Sequence, residues 1–144
     1  MGRPGWLVTD LLQRIQSDLA VRDEIILMDG VDDSLLNALY KDAAFCVYPS
    51  KYEGYGLPIC EAFYHGKAVL ASNGGALPEL VQNLSPCLDP DDEQAWYRLL
   101  REWIEHPEVR VPFEQAIRSK FKHPTWSEAA AKFFSICEGS FDQR

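Results

Sequence analysis

Short apolar runs alternating with helix-spaced segments constrain this sequence most. Ile25-Ile26-Leu27-Met28, Ala44-Phe45-Cys46-Val47-Tyr48 and Ala68-Val69-Leu70-Ala71 are runs of four or five, with Cys87-Leu88 a briefer fourth. Runs of this length, bounded by Asp-Gly, Pro-Ser and Ser-Asn-Gly-Gly, read as buried strands. Between them the apolar residues take helical spacing. Trp6 to Leu19 carries Leu7, Leu11, Ile15 and Leu19, and Leu35, Leu36, Leu39 and Tyr40 follow a cap at Asp33 or Ser34. A third helix is expected from Pro58 to His65, stopping at Gly66, and a short one near Pro78 to Gln82. Asp89 is expected to cap a helix to about Ile104, with Pro90 at its first position. Helices over Pro107 to Lys122 and Trp126 to Glu138 complete the chain, the last opened by the capping box Thr125-Trp126-Ser127-Glu128. Strands separated by helices imply a parallel sheet with right-handed crossovers, an α/β Rossmann-like fold with a helical C-terminal region. In such a fold ligands gather outside the carboxyl ends of the strands, so Asp29–Asp33, Pro49–Leu57 and Ser72–Leu77 are the loops of interest.

Composition narrows the function classes. At 144 residues and 47% hydrophobic, the chain can bury a core without disulfide or metal staples. The net charge is -8, and no Lys or Arg occurs from Ala68 to Tyr97, which disfavours a nucleic-acid groove or a membrane surface. No apolar run reaches the roughly 18 residues of a membrane span, and the first residues lack the apolar stretch of a signal peptide. Cys46, Cys60, Cys87 and Cys137 form no CxxC pair and sit among apolar neighbours, as reduced buried thiols of a cytoplasmic protein would. His65, His106 and His123 have no ligand-spaced partner, so no metal is expected. Trp6, Trp96, Trp103 and Trp126 lie on amphipathic segments and are expected in the core or at a domain contact.

The chemistry-bearing stretch runs from Tyr48 to Ala62. It leaves a strand, crosses a loop containing Gly54 and Gly56, and enters a helix with amides around Leu57 to Cys60 at its positive end. That arrangement suits a phosphate. Glu53 and Glu61 add two acceptors suited to sugar or ribose hydroxyls. Other readings are ordinary turn glycines with a dipole-complementing glutamate, a glycosidase carboxylate pair, and a metal motif at Asp89-Pro90-Asp91. The glycosidase pair ranks low, because the intervening helix and loop carry the carboxylates apart. The metal motif ranks low because these acids already read as a helix cap.

The segment Glu53-Gly54-Tyr55-Gly56-Leu57-Pro58 through Glu61-Ala62 resembles the signature of group 1 glycosyltransferases, retaining enzymes of GT-B architecture that use nucleotide-sugar donors. Gly5-Trp6-Leu7, Gly30-Val31, Pro49-Ser50, Gly66 before Ala68-Val69, Gly75 with Pro78-Glu79, and Trp126 agree in order, while Tyr55 stands where the family usually has Phe. The resemblance implies that residues 1–144 are part of a donor-binding domain. Glu61 would accept from ribose hydroxyls, and Glu53, the expected catalytic residue, would lie beside the hexose. The amides of Gly54, Tyr55, Gly56 and Leu57 would contact sugar and diphosphate, and Gly30-Val31 would face the base. The family's first strand, its basic diphosphate clamp and its N-terminal acceptor domain have no counterpart in this sequence, with Lys51, Arg3 and Lys67 as the candidate substitute cations. The chain alone is therefore expected to be inactive, to need that domain or a partner chain, and to be able to self-associate through an open sheet edge. The alternative is a noncatalytic module that pairs with a separate glycosyltransferase chain.

Overall fold

The structure is a computed structural model that describes residues 8–123 and 125–141. It divides into two compact units, 1–42 and 43–144. The first holds α1 (Thr9–Ser17) and α2 (Asp33–Asp42). Helix α1 ends before Leu19 because Asp18 turns the chain out, its carboxylate accepting from the Ala20 amide at 2.9 Å. Trp6 and Leu7, expected in this helix, lie outside the described residues. The cap of α2 is Asp32, one residue earlier than expected: its Oδ1 accepts from the Leu35 amide at 2.8 Å.

Ile25–Met28 corrects the expectation of a buried strand. The run forms no strand and pairs with none among the described residues, and Ile25, Ile26 and Leu27 are 41%, 76% and 53% exposed. Its amino-terminal amide instead closes a turn, Ile25 N–H to the Val21 carbonyl at 3.1 Å. Apolar β-branched residues favour a pleated surface, but a strand exists only against a neighbour that completes its ladder.

The second unit contains β1 (Cys46–Tyr48), α3 (Leu57–Tyr64), β2 (Val69–Ser72), α4 (Leu77–Val81), β3 (Cys87–Leu88), α5 (Glu93–Glu105), a 3-10 turn (Pro107–Arg110), α6 (Val111–Lys120) and α7 (Trp126–Phe141). The strands form a parallel sheet in the order β1-β2-β3, with Val47 opposite Leu70 and Ala71 opposite Cys87. This is the expected α/β, Rossmann-like arrangement of a parallel sheet flanked by helices. Strand β2 is central and buried at every residue. Ala68 and Leu70 pack with Trp96 and Trp103 of α5, against Phe45, Val109 and Phe113. Strand alternation leaves Val69 and Ala71 for the opposite face. Helices α3 and α4 both contact β2 and bury Ile59, Cys60, Ala62, Phe63, Leu77 and Val81. Full burial of one such aliphatic or aromatic side chain contributes roughly 1.5–3 kcal/mol.

Caps explain the helix limits. Helix α3 stops in a Schellman turn: Lys67 N–H reaches the Ala62 carbonyl at 3.0 Å and Gly66 N–H the Phe63 carbonyl at 2.9 Å. Asp92, not Asp89, caps α5, its Oδ1 accepting from the Ala95 amide at 3.0 Å, while Asp89 folds onto the Asp91 amide at 2.9 Å. The segment expected as one helix from Pro107 starts as a 3-10 turn before α6. The Thr125–Glu128 capping box forms as expected, with Glu128 N–H to Thr125 Oγ1 at 3.2 Å and Thr125 N–H to Glu128 Oε2 at 3.0 Å. Trp96 and Trp103 are core, whereas Trp126 at the start of α7 is 93% exposed. Cys60 is buried, and Cys46, Cys87 and Cys137 are half-buried free thiols. Among the described residues no helix is long and apolar enough to cross a membrane.

Candidate functional site

The carboxyl end of the sheet brings two loops together. Strand β1 releases the Pro49–Gly56 loop and β2 the Asn73–Ala76 loop. They are joined chiefly through backbone: the Ser72 hydroxyl donates to the Ser50 carbonyl, and Ala76 N–H donates to the Glu53 carbonyl at 3.0 Å. Gly74 and Gly75 allow this approach. A Cβ on Gly74 would run into the Lys51 and Ser50 carbonyls, and one on Gly75 into the backbone of Glu53.

Glu53 is thereby held half-buried, with Oε1 accepting from Tyr48 Oη and Ser50 Oγ, each at 2.9 Å. Tyr48 is the last residue of β1. Its phenol is pushed up to about 12 by burial, by the hydrogen bond to Glu53 and by the charges of Glu53 and Glu61, so it keeps its proton and donates at neutral pH. Glu61, half-buried on α3, also raises the Cys60 thiol, which burial raises most. The two glutamates and Tyr48 therefore share one field at the start of α3.

Gly56 precedes α3 and lies buried against α4: a Cβ there would meet Leu77 Cδ2 at 2.6 Å and Leu80 Cδ2 at 3.1 Å. Gly54 has nothing within 4 Å of where its Cβ would be. The amide inventory differs from the sequence expectation. Ile59 and Cys60 N–H both bond to the Gly56 carbonyl, at 2.9 and 3.4 Å, and Pro58 has none to give. What remains at the positive helix end, without an acceptor among the described residues, is the run Gly54, Tyr55, Gly56 and Leu57. Beside it a cleft of about 350 Å³ is lined by Tyr55, Leu57, Cys60, His123, Thr125, Trp126 and Ala129. The Tyr55 hydroxyl is raised by the adjacent Cys60 thiol, by burial and by their hydrogen bond.

Of the expected site residues, the structure gathers Glu53, Gly54, Tyr55, Gly56, Leu57 and Glu61 around one helix start. Gly30 and Val31 belong to the first unit, in the turn before α2, where Gly30 N–H bonds to the Asp29 carboxylate at 2.8 Å. The candidate cations fare differently. Lys51 pairs with Asp91 at 2.5 Å, both largely exposed, and Lys67 sits at the amino end of β2, the far end of the sheet from these loops. Arg3 lies outside the described residues. Asp91 is thus an ion-pair partner, and among the described residues no group of three or more His, Cys, Asp or Glu is placed to hold a metal. Tyr48, Ser50 and Ser72 lie in stretches that the sequence singles out, but their role as hydroxyl donors was not read from it. The signal was position alone: Tyr48 and Ser50 flank Pro49 at the carboxyl end of β1, and Ser72 ends β2.

The chain is similar to known proteins over most of its length. An MMP α-(1→4)-mannosyltransferase of Mycolicibacterium hassiacum is 29% identical over 130 residues, covering 88% of this chain and 32% of the relative. The O-antigen chain mannosyltransferase RfbU of Salmonella typhimurium is 31% identical over 106 residues, 74% of this chain and 30% of the relative. The O-antigen chain mannosyltransferase B of Escherichia coli reaches 48% identity over 65 residues, 45% of this chain and 17% of the relative. The chain spans about a third of the length of the first two relatives. Residues 7–120, which include Glu61, Glu53 with its two hydroxyl donors and the joined loops, match the family Glycosyl transferases group 1, and the chain belongs to that family.

Proposed function

We propose that this chain is the donor-binding part of a retaining glycosyltransferase that moves a hexosyl unit from a nucleoside diphosphate sugar to an acceptor. The observation that carries the reading is Glu53, pinned by two hydroxyls beside a helix start whose preceding amides are uncommitted, with Glu61 on the same helix. In this reading Glu61 accepts from ribose hydroxyls and Glu53 lies beside the hexose. The amides of Gly54 to Leu57 contact the sugar and the distal phosphate. As the glycosidic bond breaks, positive charge develops on the sugar ring and negative charge on the diphosphate. Fixed amides at a helix N-terminus stabilise the latter without a metal, as an oxyanion hole does. The named mannosyltransferases support mannose as the first hexose to try.

Transfer itself is expected to require an acceptor-binding domain or partner chain, with this chain inactive alone. Titration of the labelled chain with GDP and UDP, without metal, is expected to give saturable amide shifts across Gly54–Glu61. No shift at millimolar nucleotide refutes the reading. A second reading, a noncatalytic module that pairs with a separate glycosyltransferase chain, is favoured by the apolar surface of α7, where Phe133, Phe134 and Ile136 are each more than 60% exposed. Nucleotide binding that appears only in a co-purified complex would support it.

A further inference from the structure

We propose that Tyr48 is a positioning residue for the donor hexose: its hydroxyl, with that of Ser50, holds one carboxylate oxygen of Glu53 so that the other is presented to the ligand. The inference rests on the reading that Glu53 lies beside the hexose. A carboxylate oxygen accepts about two hydrogen bonds in its plane. Oε1 receives both, from Tyr48 Oη and Ser50 Oγ at 2.9 Å each, and the other acceptor of Ser50, the Tyr52 carbonyl, is farther at 3.3 Å. Oε2 receives no hydrogen bond from any described residue.

The two donors differ in anchorage. Ser50 is on the loop, but Tyr48 is in the sheet, in register with Ala71 of the buried central strand. A donor on a rigid element fixes its acceptor better than one on a loop. The Glu53 main chain is also held, by the Ala76 amide. A glutamate on a loop, otherwise free to rotate, thus becomes a directional acceptor for a sugar hydroxyl. Tyr48 also feels the charge of Glu61, so one phenol lies among the groups assigned to hexose and ribose.

The test compares GDP with GDP-mannose, and UDP with UDP-glucose, by calorimetry on the full chain. Tyr48→Phe keeps the ring and removes the donor. It is expected to weaken the hexose-bearing ligand about fivefold, the loss of one hydrogen bond, while the nucleoside diphosphate changes less than about twofold. Ser50→Ala should act in the same direction, and the double variant by less than the product, because both hydroxyls serve one oxygen. Equal weakening of both ligands, or no change, overturns the proposal. If neither nucleotide pair binds the unaltered chain, the functional reading fails, and the positioning is judged without ligand. The Tyr48 phenol should then titrate near 12 and fall part of the way in Glu53→Gln, burial and the charge of Glu61 keeping the rest of the rise. An unmoved midpoint overturns the contact.

Discussion

Gly75 tests whether the two loops hold Glu53 by close backbone approach. Its φ is +61°, and a Cβ would lie 2.9 Å from the Glu53 nitrogen and nearer still to its carbonyl oxygen. Gly75→Ala therefore carries two costs. The left-handed conformation costs an L-residue about 1–2 kcal/mol. Separating the loops also stretches the 3.0 Å bond from Ala76 N–H to the Glu53 carbonyl, about 1 kcal/mol more, before any strain in the displaced backbone. Gly66 supplies the control within the same unit. Its φ is +68°, but its Cβ would meet only the side chain of Arg118, which is mostly exposed and can swing away. Gly66→Ala should thus cost only the conformational part. In urea, with an m-value of about 2 kcal/mol/M, the midpoints are expected to fall by about 0.75 M for Gly66→Ala and by at least about 0.5 M more for Gly75→Ala. Asparagine separates the causes further, because it tolerates the left-handed region but keeps its Cβ. Gly66→Asn should recover most of the loss and Gly75→Asn should not. Equal costs at the two positions, or recovery by asparagine at both, would refute close approach as the reason for Gly75.

Stability should fall as pH rises through the alkaline range. Burial raises the Cys46 thiol from 9.0 to about 11, and Tyr48 is raised from 10.0 to about 12. In each case the unfolded chain loses its proton first, so the contribution is complete below the unfolded value and lost as pH climbs through the folded one. Denaturation midpoints between pH 9 and 12 should decline, less steeply below pH 11 in Cys46→Ala, with about 3 kcal/mol as the upper bound for the thiol. A pH-independent midpoint would count against both buried environments. At the start of α5, Asp92→Ala should cost about 1 kcal/mol as a lost N-cap, and Asp89→Ala clearly less. The reverse order would return the cap to Asp89.

Element types were legible in the sequence wherever neighbouring residues determine them. The parallel sheet, the Gly66 stop of α3 and the Thr125–Glu128 box follow from run length and from capping chemistry within a few residues. Ile25–Met28 shows the limit, since the pattern that marks β2 as a strand marks this run equally well. Val69–Ser72 has ladder neighbours on both sides, and Ile25–Met28 has none among the described residues. A partner strand is a long-range fact that no local window contains. The α5 cap failed for a smaller reason. Asp89, Asp91 and Asp92 offer the same side chain, and only the path of the backbone decides which one faces a free amide.

The site separates along the same line. Glu53, Gly54, Gly56 and Glu61 could be singled out because they recur within nine residues, yet the four glycines of the two loops, alike in sequence, do different work. Gly54 faces open space, Gly56 lets Leu77 and Leu80 close over the start of α3, and Gly74 and Gly75 admit the backbone of residues 50–53. Nothing local distinguishes these roles, because each depends on atoms about twenty residues away. Glu53 is consequently held from two directions at once. Tyr48 in β1 and Ser50 hold its carboxylate, and the loop after β2 holds its main chain. A carboxylate fixed in this way meets its ligand without first losing side-chain freedom, a cost of about 0.5–1.5 kcal/mol per immobilised side chain on binding. The same reasoning places the sensitivity of the site in residues that need never touch a ligand. Substitutions at Tyr48 or Gly75 should loosen Glu53 and leave the sheet standing, whereas substitutions at Gly54, where an added Cβ would meet nothing within 4 Å, should change chiefly what the ligand meets.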